Sequence, residues 1–353
     1  MNIYLSLEIK KRELQSKLLL AFESAFRGHD IYLGRVMPLL RKGVFKPGLI
    51  HLKSITPSNL RLSEMTDLKK KGFLFTSLDE EHGYIDNNSN YVKSRYSKKT
   101  LELVDKAFVC GEFDYRNLMK KFSEYKNKIV KTGNPRFDFW RNDFKNFFKK
   151  INYIKYKNYL LVSSNLEYIF TYKTLDQDLI FHKKAGYFKR GVKKNKLLNR
   201  AKQSKKLLKK FMGLIYLINK KYKNILIIIR PHPTENPDLW KNHIGNYKNI
   251  KVIDYGFLSD WIAKSKCLIH AGCTSGFEAV ARDKISLSYN SKNFQHGQKV
   301  TDKISIRLKS ENDAIKKISS IFRNKLRVNF NKSKKIIKKR IINISNTPAY
   351  ESI

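Results

Sequence analysis

Apolar residues along this chain come in short blocks separated by charged turns, and the blocks read as strands alternating with amphipathic helices. Ile3 to Leu7 reads as the first strand, and Glu13 to Phe26 as a helix turning Leu14, Leu18, Ala21, Phe22 and Ala25 to one side. Arg27-Gly28-His29-Asp30 stops that helix, and Ile31-Tyr32-Leu33-Gly34 resumes as strand, which completes a βαβ-like unit. Gly72 to Ser77 is a further strand. Leu101 to Asp105 reads as helix, Lys106 to Cys110 as strand, Gly111 to Tyr115 as a helix start, and Ile129 to Asp138 as a short strand and turn. Sequence from Phe139 to Lys157 has no clean period and marks a junction. Beyond it, Tyr159 to Val162 is strand, Leu207 to Tyr222 an amphipathic helix, and Ile225 to Ile229, Cys267 to Ile269 and Ile285 to Tyr289 are strands, the Ile225 run fully buried. The fold class is therefore α/β. Residues 1–140 form an N-terminal Rossmann-like domain, 141–158 a linker, 159–320 a C-terminal Rossmann-like nucleotide-binding domain, and 321–353 a basic helix or tail.

Composition changes this picture in one respect. A hydrophobic content of 41% with 12% aromatics supplies packed cores and excludes disorder, but the formal net charge is +43. Charge of that size implies an anionic partner, nucleic acid or an acidic membrane surface, unless it only reflects a Lys-, Asn- and Ile-rich composition. From His182 to Lys210 there are thirteen Lys or Arg and no acid, a single-sign run typical of an interaction surface or a mobile loop. Cys110, Cys267 and Cys273 show no metal spacing and fit a reducing cytoplasm. The N-terminus carries an early acid and no basic leader, so it reads as strand and not as a signal peptide. No apolar run reaches the ~18 residues of a membrane span, which restricts any membrane contact to the periphery.

Candidate chemistry sits where strands end. Arg230-Pro231-His232-Pro233 follows the Ile225 strand, and the two prolines present the imidazole on a rigid loop. His270-Ala271-Gly272-Cys273-Thr274-Ser275-Gly276 links a strand to the helix beginning at Phe277, where Gly272 and Gly276 would let a phosphate approach helix N–H groups. Ser163-Ser164-Asn165 has the position of the first ligand loop of the second domain. In the first domain, Asp79-Glu80-Glu81 ends a strand, and packing three like charges predicts a raised pKa for at least one of them. Between the first strand and helix lies a charged loop, with Lys10, Arg12 and Glu13 as candidates on the acceptor side.

These segments resemble those of the bacterial surface carbohydrate biosynthesis proteins. The resemblance rests on Lys11-Arg12-Glu13-Leu14, Arg27-Gly28-His29, Asp79-Glu80-Glu81, Gly111-Glu112-Phe113-Asp114 and Thr132-Gly133-Asn134-Pro135-Arg136, and covers the chain from about Met1 to about Tyr289. A more distant similarity is to GT-B sialyltransferases and Kdo transferases. It rests on Glu80-Glu81 with Gly83, then His232-Pro233, then Thr274-Ser275, although His82 interrupts the acidic motif and leaves open which carboxylate is the base. The resemblance implies a GT-B-like fold, two Rossmann-like domains with a cleft between them. It also implies a glycosyltransferase of surface polysaccharide assembly, inverting and metal-independent, that takes an acidic sugar (nonulosonic acid or Kdo) from CMP to a glycan or lipid-linked acceptor.

On that footing Asp79, Glu80 or Glu81 is the base, and His232 is catalytic beside them. Ser163, Ser164, Arg230, Pro233, Gly272, Thr274, Ser275 and Gly276 hold the nucleotide, and Glu278 reaches the ribose. The nucleotide-sugar is a substrate, so no cofactor and no metal are implied, and the enzyme is expected in the cytoplasm, with peripheral contact to anionic membrane. A nucleotide-sugar 2-epimerase and a CDP-polyol phosphotransferase share this architecture and stand as alternatives. A nucleic-acid-binding protein would explain the charge but not the acidic run, and no recognition helix, zinc spacing or RNA-binding aromatic motif supports it, so nucleic acid is not expected as a partner.

Overall fold

The computed structural model describes residues 1–83, 88–166, 169–172, 174–184, 188, 193–289 and 299–353. The chain divides into two compact units, Met1–Asn146 with Lys334–Ile353, and Phe147–Ser333.

The first unit holds six parallel strands: β1 Asn2–Ser6, β2 Asp30–Gly34, β3 Leu49–Leu52, β4 Leu74–Leu78, β5 Lys106–Val109 and β6 Ile129–Lys131, ordered β2-β1-β3-β4-β5-β6. Both faces of the middle strands are buried: Ile50, Leu52, Phe75 and Val109 share one, and His51, Thr76, Leu78 and Phe108 lie on the other. Successive connections leave in opposite directions at β1 and β3, the switch point where α/β sheets collect ligands.

The helix after β1 runs Lys10–Phe26, three residues longer than predicted, and is rotated from its expected setting. It buries Glu13, Ser16, Lys17 and Leu20, whereas Phe22 and Phe26 are 71% and 90% exposed. Counting apolar residues misplaced this face because Glu13 and Lys17 find charged and backbone partners inside and can be buried at little cost.

Lys334–Ile353 returns to the first unit, so 321–353 is not one separate tail. The Asn331–Arg340 helix turns Ile337 inward, and Ile341 and Asn343 beyond it are also buried. The fit is close at two glycines. A Cβ on Gly111 would lie 2.5 Å from the Arg340 carbonyl oxygen, and one on Gly133, at φ +86°, would collide with Asn343.

The second unit has β7 Leu160–Ser163, β8 Ile227–Arg230, β9 Ile250–Val252, β10 Cys267–His270, β11 Ile285–Ser288 and β12 Ile306–Arg307. All pair in parallel, in the order β12-β11-β10-β7-β8-β9. That is the doubly wound dinucleotide-binding order, with its switch point between β7 and β10. The amphipathic helix predicted from Leu207 starts at Lys194 and runs to Lys221.

Candidate functional site

In the first unit the loops after β1, β3, β4 and β6 meet at the carboxyl edge of the sheet, and the three adjacent acids there have three different fates. Asp79 is 1% exposed and bound bidentately by Arg95, Nε to Oδ2 at 2.7 Å and Nη2 to Oδ1 at 3.0 Å. The Tyr91 hydroxyl and the Glu81 N–H also donate to Oδ1, at 2.6 and 2.9 Å. Burial alone would raise its pKa, but the charge and hydrogen bonds of Arg95 hold it below the ordinary carboxylate range. Asp79, one of the three candidate bases, is thus a saturated structural anion, and the raised pKa predicted from like-charge crowding for at least one of them is not found there.

Glu80 points inward. Its Oε1 lies 3.5 Å from Lys17 Nζ, with both side chains almost fully buried, and its Oε2 accepts from Asn134 Nδ2 at 3.3 Å. Glu81 is the acid of the three that solvent reaches, at 35% side-chain exposure, and it is held 2.9 Å from Arg12 Nη1. His82 turns into the core, Nε2 3.0 Å from the Tyr96 hydroxyl, so the residue interrupting the motif packs and does not displace Glu81.

Lys10 is exposed, Arg12 half-buried and Glu13 fully buried. Glu13 Oε2 accepts the N–H groups of Glu8 and Ile9, at 2.8 and 3.2 Å, which fixes the turn from β1 into the helix. Burial opposes its ionisation, yet those donors and Arg12 leave its pKa lowered. Glu13 is therefore a capping carboxylate, not an acceptor-binding one. Asn134 joins distant parts of this edge, since it donates to Glu80 while its main chain pairs with Asn343.

In the second unit the loops after β7, β8 and β10, three adjacent strands, lie side by side. Ser163 Oγ and Cys273 Sγ are 3.5 Å apart and join the first loop to the third. Glu235, which the sequence reading passed over, organises the other pair. Its Oε2 accepts from Ser164 Oγ at 2.5 Å, Trp240 Nε1 at 2.7 Å and His232 N at 3.2 Å, and its Oε1 accepts from Leu166 N at 2.7 Å. Burial raises the pKa of this carboxyl against the pull of those donors. One signal pointed to it: Glu235 is the first acid after Asp178, more than fifty residues upstream, and it follows the His-Pro loop directly.

His232 is half-buried, and its Nδ1 accepts the Thr234 N–H at 3.3 Å with Thr234 Oγ1 at 2.8 Å. An Nδ1 that accepts leaves the neutral ring's proton on Nε2, which makes Nε2 a donor suited to a phosphate oxygen. Pro233 is exposed beside it.

Arg230, in contrast, ends β8 and is buried. Its guanidinium donates to the carbonyls of Ile253, Tyr255 and Gly256 at 2.6 to 2.9 Å, and burial lowers its pKa to about 10. It braces the loop after β9, which corrects its assignment to the nucleotide.

The β10 loop divides likewise. Gly272 has φ +68° and turns the chain, while the space above Gly276 is filled by the His270 ring, whose Nε2 would sit 2.6 Å from a Cβ. The close approach expected for a phosphate at Gly276 is taken by that imidazole, which burial keeps neutral with a pKa of about 3. Glu278 is buried and paired with Arg282 at 3.4 Å, so it does not extend toward a ribose. Thr274 is half-exposed, and Ser275 Oγ is buried with no hydrogen-bond partner among the described residues. The Ser275–Ala281 helix is only seven residues long. What this edge offers an anion at its surface is therefore the His232 Nε2–H and the Thr274 hydroxyl.

No protein-family model and no curated protein matches the chain in sequence, so nothing at that level supports the sialyltransferase and Kdo-transferase resemblance. Solved structures do match in fold. The UDP-GlcNAc 2-epimerase of Methanocaldococcus jannaschii, in complex with UDP-GlcNAc and UDP, superposes with a TM-score of 0.55 at 15% identity, covering 100% of this chain and 98% of its own. The UDP-GlcNAc 2-epimerase of Neisseria meningitidis bound to UDP-GlcNAc gives 0.52 at 10% identity, covering 96% and 99%. The wall teichoic acid polymerase TagF, soaked with CDPG, gives 0.59 at 11% identity, covering 100% and 86%. The two parallel six-stranded units match the GT-B-like two-domain fold of these proteins.

Proposed function

We propose that the chain is an enzyme acting on a sugar linked to a nucleoside diphosphate, and that its reaction is nucleotide-sugar 2-epimerisation. The observation that carries the substrate class is the second unit's carboxyl edge, where the loops of β7, β8 and β10 bring His232, Thr274 and Ser275 to the switch point of a doubly wound sheet. In 2-epimerisation the proton lost from C2 returns on the opposite face; if the C1–oxygen bond breaks in between, its electron pair stays on the diphosphate until that bond re-forms, and donors such as His232 Nε2–H stabilise that charge. Within the first unit, Glu81 is the member of the acid run that solvent reaches, and proton exchange at a sugar carbon needs a group of that kind. Its neighbour Glu80 is held in the core by Lys17 and Asn134.

The 2-epimerases among the similar folds favour this reaction over transfer from CMP, because the substrates named with them are UDP-linked. Transfer of a sugar or a polyol phosphate is the second reading, favoured by the TagF match with CDPG and by the His-Pro and Thr-Ser pairs. Either activity would serve bacterial surface glycan assembly.

Incubation with UDP-GlcNAc in the absence of any acceptor tests the proposal, with the C2 epimer as the expected product. Nucleotide release only when a glycan or polyol acceptor is added, from a CDP- or CMP-linked donor, would replace epimerisation with transfer. If neither UDP, CDP nor CMP raises the melting temperature, the nucleotide site itself is refuted.

A further inference from the structure

The cations of the second unit are not spread evenly. From residue 179 to 234 the chain contains no Asp or Glu. Across this stretch runs the Lys194–Lys221 helix, 28 residues and so roughly 42 Å long. Its inner face is set by Leu197, Ala201, Ser204, Leu207 and Phe211, all buried at helical spacing. The opposite face exposes Lys194, Lys202, Lys205, Lys206, Lys209 and Lys210, and none of these forms an ion pair among the described residues. Some lysines elsewhere in the unit have acids one turn away, as Lys241 has Asp238 and Lys317 has Asp313. Here Lys202, Lys206 and Lys210 follow one another at i, i+4, as do Lys205 and Lys209, so each repels its neighbour and weakens the isolated helix.

Apolar groups accompany the charge. The Leu175–Lys184 helix packs against the basic one and exposes Ile180 at 54% and Phe181 at 47%, with Tyr172 at 65% just before it. Its acids lie in the first turn and its last turn carries Lys183 and Lys184.

We propose that this face docks the protein on a bilayer containing anionic lipid. Lysine stems reach the headgroup phosphates, and Ile180 and Phe181 enter the boundary between headgroups and acyl chains. Negative headgroups relieve the repulsion along the helix, which gives the unpaired stripe a physical reason. Nucleic acid would answer the charge equally well but leaves the exposed isoleucine and phenylalanine without a role, so lipid is the occupant that uses both features.

Sedimentation of the full chain with phosphatidylcholine vesicles, with and without phosphatidylglycerol, provides the test. Binding is expected only to the mixed vesicles and should weaken as salt is raised. K202Q/K206Q/K209Q should lower the affinity about a hundredfold, given the contribution of each surface lysine. This variant keeps good helix formers and removes like-charge contacts, so its melting temperature should equal or exceed that of the parent. K248Q/K309Q/K325Q removes the same charge from exposed positions elsewhere and should bind nearly as the parent does. I180S/F181S should weaken binding without changing its salt dependence. Equal losses in both lysine triples, absence of binding to mixed vesicles at low salt, or displacement of the vesicles by duplex DNA at equal phosphate would each overturn the proposal.

Discussion

The two units carry sheets of the same size and sense, yet their carboxyl edges are built on opposite electrostatic plans. In the first, nearly every ion has a counter-ion: Asp79 with Arg95, Glu80 with Lys17, Glu81 with Arg12 and Lys53 with Glu8. In the second, one buried carboxylate, Glu235, collects the donors of two loops, and the groups left to meet a ligand are neutral. Charges that are already paired set geometry; half-exposed donors bind. Residue type alone therefore exaggerated the chemistry of the acid run and missed the residue that shapes the second edge.

The contrast can be broken most severely at the buried pair. Lys17→Met removes the buried ammonium that faces Glu80, and should cost about 3–5 kcal/mol in urea unfolding. The double variant K17M/E80M should recover most of it, because replacing both ions with apolar groups removes the buried carboxylate as well. In the second unit, Glu235→Ala strips several donors of their acceptor. We expect a loss of about 3 kcal/mol together with the loss of nucleotide-induced stabilisation, and Glu235→Gln should restore part of both.

His232→Ala should leave stability within about 0.5 kcal/mol, since the ring lies half-exposed on a loop. It should nevertheless weaken nucleotide binding about tenfold to a hundredfold by isothermal titration. Glu81→Gln should spare both stability and nucleotide affinity and lower turnover about a hundredfold or more, whereas turnover unchanged in this variant would remove Glu81 from the mechanism.

The smallest effect is a difference in acid response. Asp79 has a depressed folded pKa, so its stabilisation is present above the ordinary aspartate value and is lost as pH falls through the folded one. Glu235 has a raised folded pKa, so it favours the folded state below the ordinary glutamate value, and that advantage disappears as pH rises through the folded one. Mild acidification should therefore show the second effect, a gain in the second unit that Glu235→Gln flattens, whereas the loss that Asp79→Asn flattens in the first unit should show only below the ordinary aspartate value, as followed by hydrogen exchange in each.

Strands were legible where the apolar run is continuous and β-branched, as from Ile225 to Ile229, because such runs admit few other structures. The four-residue β3, with a histidine within it, gave no such pattern. Helix existence was readable and helix facing was not, since the Lys10–Phe26 helix buries ions that only distant residues make tolerable. The same distance hid the partners of the acid run: Lys17, Arg95 and Asn134 are separated from it in sequence and reach it only through the sheet. The Thr-Gly-Asn-Pro-Arg turn was recognisable as a motif, but its attachment to Asn343 spans about two hundred residues.

That attachment bears on how the chain matures at the ribosome. The first sheet is threaded before the second, yet the segment that seals its Gly133–Asn134 turn and lies against Gly111 is synthesised only after residues 147–333 have emerged. The later-made half can therefore close first, while the earlier one waits, unsealed, for Asn343 to arrive. Chaperone dependence of the nascent protein should accordingly concentrate on its amino-terminal portion and end once that asparagine has left the ribosome.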